Sequence, residues 1–83
     1  MPYITRDKRP LARTHPVTAG ELNYAITELL LSYIRFKTLS YQTINDIVGA
    51  LAGAQMEFYR RVAVPYENGK IEQNGDVYEE TEP

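Results

Sequence analysis

The first stretch of helical periodicity begins just after Thr18. Apolar residues recur at intervals typical of one helix face: Leu22, Ala25, Ile26, Leu29, Leu30 and Tyr33. Thr18 and Glu21 have the spacing of a capping box, in which each side chain binds a backbone amide near the other. Arg35 and Lys37 stand where the end of a helix dipole favours cations. The pattern therefore predicts a helix over residues 19–37.

A second periodic stretch follows the short segment 38–40, in which Ser40 is a good helix N-cap. Its apolar members are Ile44, Ile47, Val48, Leu51, Ala54, Phe58 and Val62. Pro65 cannot continue a regular helix, because it lacks the backbone N–H. We therefore expect a helix over about 41–63. A connection this short predicts that it folds back on the first helix as an antiparallel hairpin.

The two ends of the chain lack a helical period. Pro2, Pro10 and Pro16 disfavour helix around them, so residues 1–16 are expected to form an extended arm. In the tail, Asn68-Gly69 and Asn74-Gly75 are strong signals for two-residue β-hairpin turns. The predicted architecture is all-α. It is a single domain over 1–83, with an arm (1–16), a helical hairpin (17–64) and a tail (65–83) that forms a short β-hairpin if it docks.

The second half of the first helix is apolar on nearly every side, which is typical of a helix that is buried on every side. One partner helix cannot cover all of it, so the pattern predicts a helical-bundle homo-oligomer. The alternative is that the arms cover the second face. Gly49 and Gly53 lie one helical turn apart, where small residues allow close helix packing; a groove that admits a ligand is the other interpretation. The predicted interface residues are Leu29, Leu30, Leu31, Tyr33, Ile34, Phe36, Gly49 and Gly53.

Composition argues against several kinds of chemistry. The chain has no cysteine and one histidine, which excludes disulfides, thiol nucleophiles and a multi-histidine metal site within one chain. No motif indicates catalytic residues, a metal site or a cofactor, so we do not expect an enzyme. The sequence predicts neither a secretory signal nor a membrane span, and the expected location is the cytoplasm.

The net charge of −2 conceals a basic arm and an acidic tail. Residues 1–16 carry a net +3 and residues 65–83 a net −5. With a pI near 5.3, nucleic acid is a disfavoured partner.

The densest polar cluster on a predicted helix surrounds residues 57–61. Tyr59, Arg60, Arg61 and Tyr66 could together hold a small anionic ligand, because arginine binds phosphate and tyrosine stacks on a base. The simpler interpretation is structural. The two arginines suit the end of a helix dipole, and Glu57 has the spacing to pair with Arg61.

Five segments together resemble a family of small uncharacterised proteins found in tailed-phage, prophage and other prokaryotic genomes. They are 20–27 (GELNYAIT), 41–45 (YQTIN), 57–62 (EFYRRV), 65–67 (PYE) and 74–78 (NGDVY). The resemblance covers about residues 18–78, and it implies a small accessory protein in a phage setting, for which the expected cytoplasm is that of the host cell.

The function expected from these patterns is non-enzymatic binding. The leading hypothesis is a protein-interaction module whose partners are its own copies and a host or phage protein. One alternative is an oligomeric sponge that sequesters a small anionic or nucleotide ligand in an anti-defence role. Another is a structural or DNA-associated phage accessory protein.

Overall fold

The computed structural model describes residues 2–78, and the chain divides into two compact units between Ile47 and Val48. A 3-10 turn, Arg6–Lys8, leads into a short helix α1 (Arg9–Ala12) and then into helix α2 (Ala19–Lys37). Helix α3 (Tyr41–Phe58), a π-helical turn (Tyr59–Ala63) and helix α4 (Val64–Asn74) follow without a break. No strand occurs within residues 2–78, so the all-α prediction is confirmed.

Helix α2 begins and ends where the sequence predicts. The Thr18 hydroxyl accepts a hydrogen bond from the Glu21 amide at 3.0 Å. The Glu21 carboxylate accepts one from the amide of Val17, also at 3.0 Å, rather than from that of Thr18. The first bond satisfies an amide that the first helical turn leaves without a partner, and the second ties Glu21 to the residue just before the N-cap. The capping box therefore sets the start of α2.

The N-terminal arm is not fully extended as predicted. Residues 6–12 form the 3-10 turn and α1, and α1 packs against α2. Pro10 is compatible with this helix because it stands in the first turn, where the missing N–H has no helical partner to lose. Contact with α2 thus orders a segment that has little helical signal of its own.

The prediction of an antiparallel two-helix hairpin is wrong. Within the first unit α1, and not the start of α3, packs along α2. Thr38 ends α2 with φ 77° and ψ 138°, a conformation that L-residues with branched side chains rarely adopt. A network of Thr38, Ser40 and Thr43 holds this turn. A short connection alone does not force the next helix to fold back.

The predicted helix end near residue 63 is also wrong, because the chain remains helical to Asn74. Pro65 cannot donate to the carbonyl four residues earlier, and its ring crowds that carbonyl. The π turn just before it widens the helix, and the Val64 amide donates to the Tyr59 carbonyl five residues back. A π turn accommodates such an interruption without ending the helix.

The predicted β-hairpin in the tail is a helix instead. Asn68-Gly69 lies inside α4, and Asn74-Gly75 forms the end of α4. The Gly75 amide donates to the Ile71 carbonyl at 2.8 Å, and its φ of 89° is easily adopted only by glycine. An isolated hairpin is marginal in water, whereas α4 extends an existing helix. Residues 79–83, which include Glu79 at the end of the predicted hairpin, lie outside the described residues.

Candidate interaction surface

Large apolar side chains of α2 are exposed to solvent. Leu29 is 72% exposed and Phe36 is 90% exposed, and Leu31 also lies in the exposed class. Leu30, Tyr33 and Ile34 are half-buried. Among residues 2–78 only Ala12, Tyr24 and Thr43 are buried. The predicted interface residues of α2 therefore lie where they could contact a partner, and the arm does not cover them completely.

The arm packs instead around Tyr24, on the first half of α2. Tyr24 is 8% exposed and Ala12 is 1% exposed. The Arg13 Nε donates to the Tyr24 hydroxyl at 3.3 Å and lies 3.0 Å from the Glu28 carboxylate. The Arg9 guanidinium stands 5.8 Å from the centre of the Tyr24 ring. Sequence reasoning missed this cluster, although Arg9 and Arg13 are one helical turn apart.

Beside this cluster lies an open cleft of about 490 Å³. Arg13, Glu28, Leu29 and Arg35 are among its lining residues. Its mixed lining joins the Tyr24 cluster to the apolar surface of α2. Arg13 already contacts Tyr24 and Glu28 and is therefore not free to bind a ligand in the cleft. We treat the cleft as the polar edge of the apolar surface of α2.

A hydrogen-bonded group joins the end of α2 to the start of α3. The Tyr33 hydroxyl donates to Asp46 at 2.8 Å, and the Gln42 amide donates to the same carboxylate at 2.8 Å. The bonds from Gln42 and Tyr33, with the charge of Lys37, lower the pKa of Asp46. The bond to Asp46 raises the pKa of Tyr33. Tyr33, a predicted interface residue, thus has a polar tip fixed within the chain.

Gly49 and Gly53 lie on α3 with no atoms near the positions that a Cβ would occupy. Neither glycine is needed for close packing among residues 2–78. Their predicted role at an interface between copies stays a prediction.

The four residues predicted to bind an anionic ligand lie on and just after the π turn, but they do not form one pocket. Arg60 and Arg61 line a shallow hollow of about 400 Å³. Arg60 is paired with Glu57 at 2.8 Å, the partner that the sequence assigned to Arg61. The Tyr59 hydroxyl donates to Glu67 at 3.3 Å, and the Lys70 ammonium lies 5.5 Å from the Tyr66 ring centre. Ligand binding by these residues stays a prediction.

The part of the chain that the structure describes lacks two features, a metal-binding cluster and a membrane-spanning helix. Residues 2–78 contain no cluster of three or more histidine or carboxylate side chains able to hold a metal ion. Within the same residues, no helix has the length and apolar character needed to cross a membrane.

Comparison with known proteins places the chain in a family. No curated protein and no solved structure is significantly similar to it. A family model described as a domain of unknown function, DUF6899, matches residues 1–77 and so includes the N-terminal arm that the sequence resemblance left out. The chain belongs to the DUF6899 family.

Proposed function

We propose that this chain is a non-enzymatic protein-interaction module that assembles with copies of itself through the apolar surface of α2. The observation that carries the proposal is the exposure of Leu29 and Phe36 on a helix whose second half is apolar on nearly every side. An exposed apolar surface of this kind is typical of a protein interface. The sequence resemblance supports a phage or prophage accessory protein acting in a host cytoplasm.

A second copy of the chain is the first candidate partner for the exposed apolar residues of α2. A second copy is always present with the first, and symmetric homo-oligomers are the commonest soluble assemblies. We therefore assign the surface first to another copy of this chain.

The test removes the apolar surface and measures the mass of the assembly. The change is Leu29→Asp with Phe36→Asp, and Asn23→Asp, at an exposed position on a different face of the same helix, is the matched control because it adds charge without removing apolar area. Light scattering after size-exclusion chromatography, with native mass spectrometry, gives the stoichiometry. We expect an oligomer for the unaltered chain and the control, and a smaller species for the double variant that stays helical by circular dichroism.

Two results would contradict the proposal. One is a monomeric unaltered chain at about 100 μM, a concentration at which even weak self-association of Kd near 10 μM is readily detected. The other is a double variant whose mass equals that of the unaltered assembly.

A further inference from the structure

An unpartnered apolar seam runs along α3 into the π turn. Val48, Leu51, Gln55, Phe58 and Val62 follow one another at alternating intervals of three and four residues. This is the heptad pattern of a coiled coil, with Val48, Gln55 and Val62 at the first apolar position, a, and Leu51 and Phe58 at the second, d. Two heptads of seam therefore lie within the second compact unit.

The π turn extends this seam past Pro65. The Val64 amide donates to the carbonyl five residues back, so the turn contains one residue more than an α turn. The faces of α4 are therefore displaced by one residue from a regular continuation. Tyr66 takes the next d position, which Pro65 would occupy in an uninterrupted α-helix.

The seam is exposed in the part of the chain that the structure describes. Val48 is 60% exposed and Phe58 is 64% exposed, and no described residue from Val48 to Tyr78 is buried. The ion pair between Glu57 and Arg60 lies away from the seam, on the side that a coiled coil leaves in solvent. The seam is therefore exposed along its length, and the charged pair lies where it would not obstruct a partner helix.

The identities of the seam residues indicate the partner. Within parallel coiled coils, β-branched residues at a with leucine at d favour two strands, and here a carries Val48 and Val62 while d carries Leu51 and Phe58. A single polar residue at an a position fixes register and strand number. In a parallel pair of identical helices Gln55 faces the partner copy's Gln55, where the two amides can hydrogen-bond to each other. In an antiparallel pair an a position faces a d position, so the Gln55 amide would face an apolar side chain and lack a partner.

We propose that the seam of α3 pairs with the same seam of a second copy as a parallel, in-register coiled coil with Gln55 as its polar layer. This inference rests on the proposed self-assembly and names a surface and an orientation for it. The two proposed interfaces share no residues, since one lies on α2 and the other on α3 and the π turn. Either interface can therefore be tested without the other.

The natural absence of cysteine allows a direct test of register. In the full-length protein, Gln55→Cys places two thiols opposite each other across a parallel pair, where their Cα atoms come within the roughly 4.4–6.8 Å that a disulfide spans. Gly53→Cys, two residues away on the opposite side of the helix, is the matched control. We expect mild oxidation to convert most of the Gln55→Cys protein to a covalent dimer, at a rate at least tenfold above that of the control.

The outcomes separate the inference from the proposed function. An assembled protein in which Gln55→Cys does not cross-link, or in which Gly53→Cys cross-links faster, overturns the parallel seam while self-assembly stands. The second result would assign the interface to the predicted glycine face. A protein that is monomeric by light scattering removes both proposals.

A second pair of variants tests the polar layer without cross-linking. Gln55→Leu replaces a buried amide with an apolar side chain, which should lower the dissociation constant of the dimer about tenfold. Gln55→Glu should dissociate the dimer at pH 7, because two carboxylates would share one layer, and should restore it near pH 4. Unchanged dissociation constants for both variants would contradict the seam.

Discussion

The turn between α2 and α3 depends on one buried hydroxyl group. Thr43 is 5% exposed, and its Oγ1 accepts from the Ser40 amide at 2.9 Å. The same oxygen lies 3.0 Å from the carbonyl of Thr38, to which it can donate. Thr43→Val keeps the shape of the side chain and removes both bonds, so it creates no cavity. At about 1 kcal/mol for each intramolecular hydrogen bond, the free energy of unfolding should fall by about 2 kcal/mol.

The assay is urea denaturation followed by circular dichroism, with all variants at one protein concentration because assembly contributes to stability. Thr43→Ser is the matched control, since it keeps the hydroxyl and loses only a methyl group worth about 0.8 kcal/mol. The reasoning fails if Thr43→Val lies within about 0.5 kcal/mol of the unaltered chain, or if the serine variant is the less stable of the two.

Two further predictions concern the same end of α2. The pKa of Asp46 lies below its ordinary value of 3.8, so the stability that this carboxylate contributes is present above pH 3.8 and is lost as the pH falls through the lowered pKa. The Tm difference between the unaltered chain and Tyr33→Phe should therefore be larger at pH 7 than at pH 2.5. An equal Tm difference at both pH values would argue against this network. Thr38→Gly should raise the free energy of unfolding by about 1 kcal/mol, because glycine adopts a positive φ without a Cβ penalty, and a loss of stability in the same denaturation assay would contradict this account of the turn.

Local signals in the sequence were sufficient where the chain satisfies its own backbone groups. The capping box at Thr18 and Glu21 predicts the start of α2, because both of its hydrogen bonds are made within five residues. The capping role of Ser40 follows in the same way, since its hydroxyl accepts from the Thr43 amide at 3.2 Å. These features need no knowledge of the tertiary structure.

Features that depend on distant contacts could not be predicted in this way. Helix α1 has four residues and lies where Arg9 and Arg13 contact Tyr24 on α2. A segment this short has no periodic pattern from which that contact could be predicted. The direction of the chain after Thr38 is likewise set by Thr38, Ser40 and Thr43. It cannot be predicted from the length of the connection alone.

In the tail, the π turn changes the structure that several local sequence signals would otherwise predict. Pro65 and the two Asn-Gly pairs are each reliable signals for the end of a helix or for a turn. The π turn at Tyr59–Ala63 removes the conflict between Pro65 and the helix. Once the helix passes that point, Asn68-Gly69 has no strand beside it and lies inside α4, and Asn74-Gly75 becomes a helix end. The same turn also brings Tyr66, rather than Pro65, into line with the seam of α3. The wrong prediction of the helix end and the proposed extension of the seam to Tyr66 therefore both depend on the one extra residue in the π turn.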